Sequence, residues 1–115
     1  MGMVVTSSNL RFRNTTGDHA FTSPTTLNVG QWYHLVISVS STQTTGYVNG
    51  ISQGTSNQVI SSNSITDFSI GRRAVNGASE YLGGDIASVK VYYNKQLTEA
   101  EVQQNFNAFR GRYGI

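Results

Sequence analysis

From Trp32 to Ser40 the chain alternates in step with a β-strand. Tyr33, Leu35, Ile37 and Val39 point to one face, while Trp32, His34, Val36, Ser38 and Ser40 point to the other. Apolar residues of both parities predict a strand central in its sheet and largely buried. A second long alternation runs from Gly84 to Tyr93, with Ala87, Val89, Val91 and Tyr93 opposite Ile86, Ser88, Lys90 and Tyr92. Between the two lies Gly46-Tyr47-Val48-Asn49-Gly50-Ile51-Ser52-Gln53. Asn-Gly supplies the two positive φ angles of a type I′ turn, whose twist matches the strands it joins, so a two-residue hairpin is predicted there.

The remaining strand signals are shorter. Leu10–Arg13 and Ala20–Thr22 are predicted as strands around the turn residues Asn14 to Asp18, within a first thirty residues of weak pattern. Gln58–Ile60 and Asp67–Gly71 are predicted as two more, with a polar loop over residues 72–82. The chain ends differently. Thr98-Glu99-Ala100-Glu101 has a hydroxyl at the N-cap and a carboxylate three residues on, the pattern of a capping box. Val102, Phe106 and Phe109 then form one apolar stripe of a helix predicted over 98–110, with Gly111 suited to its C-terminal cap. The expectation is a single all-β domain over 1–115, an antiparallel β-sandwich of six or seven strands closed by a short C-terminal α-helix.

Composition supports that architecture and excludes several functions. Charged residues are 12% of the chain, about half the usual share in soluble domains, and hydroxyl and amide side chains fill the gap. Cysteine is absent, so neither a disulfide nor a thiolate nucleophile or metal ligand is available. The net charge is only +2 and the arginines fall in separated pairs, Arg11/Arg13, Arg72/Arg73 and Arg110/Arg112, which argues against a nucleic-acid partner. No apolar run reaches the ~20 residues that cross a bilayer. Met1 to Val5 lacks the basic flank and apolar stretch of a signal peptide. No membrane partner and no export by the standard route are therefore expected.

Three segments in order carry a family resemblance: Trp32–Val39, then Gly46–Gly50, then Phe68-Ser69-Ile70-Gly71-Arg72. With Leu82 to Val102, these resemble the middle and closing turn of a laminin-G-like, concanavalin-A-like lectin/glucanase jelly roll over roughly residues 27 to 104. Domains of this type open with more strands than the residues before Trp32 can supply. A shortened sandwich follows, with another copy covering the open edge, so a homo-oligomer is expected. Separately, Asn105 to Ile115 resembles the tails of jelly-roll modules that end virion structural proteins of tailed phages. That resemblance implies a non-enzymatic capsid decoration, tail or fibre component, contacting other virion proteins and assembled in the host cytoplasm, which suits a cysteine-free chain.

The fold's chemistry narrows the candidate residues. Glycoside hydrolysis needs two carboxylates about 5–10 Å apart. The acids are Asp18, Asp67, Glu80, Asp85, Glu99 and Glu101, with no pair on one strand face and two committed to the helix start. No catalytic residue is therefore assigned, and no nucleophile-elbow motif accompanies the abundant serines. His34 is expected to be a structural histidine inside its strand. Glycan binding needs an aromatic platform with planar amide or carboxylate partners. Arg73, Asn76, Glu80 and Tyr81 in loop 72–81 offer all of these. Trp32 is assigned instead to the core or a subunit interface. Relatives often hold calcium through hard oxygen ligands, and Asp18, Asp67 or Asp85 are the candidates here. A free-standing, calcium-assisted lectin is the alternative to the virion module, and a glycoside hydrolase the third reading.

Overall fold

The computed structural model describes residues 2–59, 68–73 and 80–115. Among these, six strands and one helix form: β1 (Gly2–Thr6), β2 (Asn9–Asn14), β3 (Gly17–Ala20), β4 (Leu35–Val39), β5 (Thr44–Val48), β6 (Ile51–Ser56) and α1 (Glu99–Tyr113). The strands make two antiparallel three-stranded sheets, ordered β1-β2-β3 and β4-β5-β6. All seven elements lie in one compact unit, residues 1–61 with 95–115, while residues 62–94 form a second unit.

In the first unit the sheets face each other. Leu10 and Phe12 of β2, Phe21 and Val48 of β5 form a buried cluster, with Leu27, Tyr33, Leu35 and Ile37 packed against it. The register explains which side chains reach it. Leu35 pairs with Val48 and Ile37 with Gly46, so these four share one face of the second sheet. Gly46 is required there, because a Cβ at that position would enter the Phe21 ring. The opposite face, carrying Val36 and Tyr47, packs with Leu97 and Val102. The Ser38 hydroxyl donates to the Leu97 carbonyl at 2.9 Å and fastens the approach to α1. Buried Gln53 ties the edge, its Oε1 accepting from Thr25 N at 2.5 Å and its Nε2 donating to Ile51 O at 3.0 Å.

The Asn-Gly hairpin forms as the sequence dictates, with Asn49 at φ 51° and Gly50 at φ 79°. The helix also starts where its capping box lies. Thr98 Oγ1 accepts from Glu101 N, and Glu101 Oε2 accepts from Thr98 N at 2.8 Å. Its end differs from the expectation at Arg110. Gly111 lies inside α1, and Gly114 takes the left-handed cap at φ 68° with its N–H bonded to Arg110 O. Two glycines three residues apart were competing for one cap, and the extra turn seats Tyr113 against Trp32.

Five predicted strands need correction. β4 lies at a sheet edge among the described residues, and β5 is the central, most buried strand. β4 starts at Leu35, since Trp32 to His34 belong to the entering loop. The predicted strand at Ala20–Thr22 is shifted, β3 ending at Ala20, and β1 was overlooked. Gly84–Tyr93 forms no ladder, and neither does Phe68–Gly71; Asp67 lies outside the described residues. Gln58 and Val59 likewise form no strand, and Ile60 lies outside the described residues. Alternation sets which side chains share a face, but a strand also needs a neighbour for its N–H and C=O groups. In the second unit the pairing described is one antiparallel bridge, Arg72 to Tyr81.

Candidate functional site

The first unit carries a cleft of about 530 Å³ between the loop entering β4, the β5–β6 turn and the end of α1. That size falls in the range of small-ligand sites. The loop contributes Gln31, Trp32 and Tyr33, the turn contributes Asn49 and Ile51, and the helix contributes Phe106, Arg110 and Tyr113. The elements position these side chains for simple reasons. The capping box fixes where α1 begins, which places Phe106 under the hairpin, where its ring lies 3.2 Å from a Cβ built on Gly50. One and two turns later, Arg110 and Tyr113 follow on the same side.

Aromatic surface dominates. Trp32 and Tyr113 rings lie 5.4 Å apart, tilted at 45°, and Trp32 remains 40% exposed. The Arg110 guanidinium sits 4.9 Å above the Phe106 ring, a cation–π contact, while its Nε donates to Ile115 O at 2.7 Å. The two amides are oriented by neighbours. Asn49 Oδ1 accepts from His34 N at 2.9 Å, and Gln31 Oε1 accepts from the Tyr33 hydroxyl at 2.7 Å. That hydroxyl in turn accepts from Asn28 N at 2.8 Å. The His34 ring packs against Phe106, its centroid 6.0 Å away.

The residues that sequence reasoning selected sit in the second unit. Arg73 and Glu80 come together: their side chains pair at 3.2 Å and Arg73 N donates to Glu80 O at 3.0 Å. Leu82 N donates to Gly71 O at 2.8 Å, extending the same antiparallel approach. The Tyr81 ring is exposed, and Asn76 lies outside the described residues. Of the calcium candidates, Asp18 uses both carboxylate oxygens on Arg13, Asp85 is exposed, and Asp67 lies outside the described residues. Among the described residues no three His, Asp or Glu side chains converge.

Other titratable groups serve the scaffold. Lys95 donates to Glu101 at 2.5 Å, and this bond with the Thr98 backbone hydrogen bond holds the Glu101 carboxyl below its usual pKa. Burial, reinforced by the charge of Glu99, raises the Tyr47 phenol. Trp32 was the one cleft residue that the sequence had singled out, and it was assigned to the core or a subunit interface. Arg110 is expected at the end of a helix over 98–110 and Tyr113 beyond it, both within the segment Asn105–Ile115 that carries the virion-module resemblance. Their meeting with Trp32 depends on the extra helical turn, which no local spacing announces.

The fold and cleft define a two-sheet β-sandwich with a helix-backed aromatic groove. Residues 2–103 match the profile of the concanavalin A-like lectin/glucanases superfamily, and the chain belongs to that family. Its fold is similar to that of an S-layer domain-containing protein (residues 221–444) from Clostridium thermocellum, at a TM-score of 0.61 and 21% identity. The match covers 85% of this chain and 50% of the Clostridium chain, so the present chain spans about half the length of that structure. No curated protein sequence matches the chain. No helix among the described residues is long and apolar enough to cross a membrane.

Proposed function

We propose that this chain is a non-enzymatic saccharide-binding module that attaches a larger assembly to glycans through the Trp32–Tyr113 cleft. The carrying observation is the pair of ring faces at the mouth of a ligand-sized groove, flanked by two oriented amides. Sugar rings present apolar C–H faces that cover aromatic surface, while their hydroxyls bond to amides. The assembly we assign is a phage virion, as capsid decoration, tail or fibre, on the resemblance of Asn105–Ile115 to virion modules. A binding role without turnover is supported by the scaffold contacts of four of the six acids. Asp18, Glu80 and Glu101 are each paired with a cation, and Glu99 lies at the helix start. Self-association belongs to the same reading. β1 has one ladder neighbour among the described residues, and Met3 and Val5 are exposed on the face they share with Phe12 and Leu10.

A glycan array probed with the chain and its variants tests the reading. Trp32→Ala and Tyr113→Ala are expected to lower signal at least tenfold, with Tyr81→Ala and Glu80→Gln near the parent. The reverse pattern would move the site to loop 72–81. Release of reducing ends from any bound glycan would return the chain to the hydrolases.

A further inference from the structure

Resting on the self-association in the reading above, and not on its saccharide cleft, we infer that two copies join through β1. The strands run antiparallel across a twofold axis at Val4 and merge two sheets into one, ordered β3-β2-β1 and then β1-β2-β3 of the partner. The argument starts from the open edges of the two sheets. An edge strand presents unpaired N–H and C=O groups, and proteins blunt such edges with charges, bulges, short length or a covering segment. β3 has four residues and carries Asp18, ion-paired to Arg13. The β5–β6 ladder is broken by a register shift between Thr45 and Tyr47, and the Gln53 carbonyl of β6 accepts from Ser23 N at 2.9 Å. β4 keeps its side chains buried or half-buried. β1 has no such protection among the described residues. Gly2-Met3-Val4-Val5-Thr6 holds no charge and no proline, and its register with β2 is unbroken.

The turn fixes which groups this edge offers. Ser7 and Ser8 take φ of 51° and 60°, the two left-handed residues of a type I′ hairpin, so Thr6 and Asn9 form a hydrogen-bonded pair. Bonding to β2 then alternates along the ladder. The backbone groups of Thr6, Val4 and Gly2 face β2, and those of Met3 and Val5 point to the open edge. The same two residues carry the exposed apolar side chains, on the face of the buried Leu10 and Phe12. An antiparallel copy of the strand answers both features. With Val4 opposite the partner's Val4, Met3 meets the partner's Val5 and Val5 meets the partner's Met3. Each of those pairs exchanges both backbone hydrogen bonds and covers one exposed apolar side chain with another. The uncharged edge also meets itself without like-charge repulsion. Five residues a side make a small contact, so the dimer is weak.

Sedimentation velocity and amide hydrogen exchange of the full chain, from about 10 µM to about 1 mM, test the inference. A monomer–dimer equilibrium is expected. The Met3 and Val5 amides should slow as the chain is concentrated, while those of Val4 and Thr6 are slow throughout. Met3→Lys and Val5→Glu should each weaken the dimer about tenfold or more, because each change repeats across the axis. Mixing the two variants should give a dimer tighter than either alone, since an ammonium then faces a carboxylate across the strands. Circular dichroism reports whether each variant retains the parent fold. Association that ignores both variants, or protection at Met3 and Val5 that does not change with concentration, overturns the inference and leaves self-association to another surface. A chain that stays monomeric to about 1 mM overturns the inference and self-association together. Trp32-dependent binding of a soluble monovalent glycan is read separately, so the saccharide cleft stands or falls on its own.

Discussion

The two units of this chain have similar raw material and different outcomes. In the first, every strand has a ladder partner, and the alternating residues of β2, β4 and β5 bury against one another. In the second, Phe68, Ile70, Val89, Val91 and Tyr93 are as apolar and well spaced, yet all are exposed, Val91 at 71%. The difference lies in hydrogen bonding. An extended segment without a neighbour leaves its backbone polar groups to water, so it cannot carry its apolar side chains into a core. Period-two alternation is therefore a statement about faces, and burial follows only when a second strand arrives.

The sharpest way to break this contrast is to truncate one large apolar residue in each unit. Phe12 is fully buried, and Phe12→Ala should lower unfolding free energy by about 3–5 kcal/mol. Val91→Ala should cost less than about 0.5 kcal/mol, as for other exposed sites. Urea melts followed by circular dichroism measure both, and equal losses would mean that Val91 is buried in solution.

Glycines give a second, smaller pair. Gly46→Ala drives a methyl group into Phe21 and should destabilise by about 1–3 kcal/mol. Gly84 has open space around a Cβ and an ordinary φ, so Gly84→Ala should leave the thermal midpoint unmoved. A midpoint that falls equally in both variants would remove the distinction between the units.

The smallest effect concerns the cap of α1. Thr98→Ala removes half of the capping box and should cost about 1 kcal/mol. Because its bonds hold Glu101 below the usual carboxylate pKa, the contribution of Glu101 is present above the unfolded-state value and is lost as pH falls through the folded one. Glu101→Gln should flatten that acid limb of a pH–stability profile; an unchanged limb would show that the pairing with Lys95 has no consequence for folding.

These contrasts also show what could be read from the sequence. The Asn49-Gly50 turn and the Thr98–Glu101 box are legible because each rests on a few adjacent residues with one low-energy geometry. The two-sheet sandwich was legible through the same local signals and the family resemblance. Gly84–Tyr93 was misread because its alternation carries no information about a partner. β1 was missed because Gly2-Met3-Val4-Val5-Thr6 is short and becomes a strand only through its register with β2, Val5 opposite Leu10 and Met3 opposite Phe12. The cleft was illegible for a related reason. Trp32 and Tyr113 lie far apart in the chain, and their contact depends on the choice of Gly114 over Gly111 as the cap. Trp32, the chain's lone tryptophan, is 40% exposed, which removes the core from its two expected places and leaves the subunit interface as the other.

That single Trp makes the decisive measurement direct. Its emission should change saturably as glycans drawn from the array hits are added to the full chain at neutral pH, with no new reducing ends appearing over the titration. Emission that stays constant across every glycan tested, or a change that is accompanied by glycan cleavage, would contradict a non-catalytic sugar site built on Trp32.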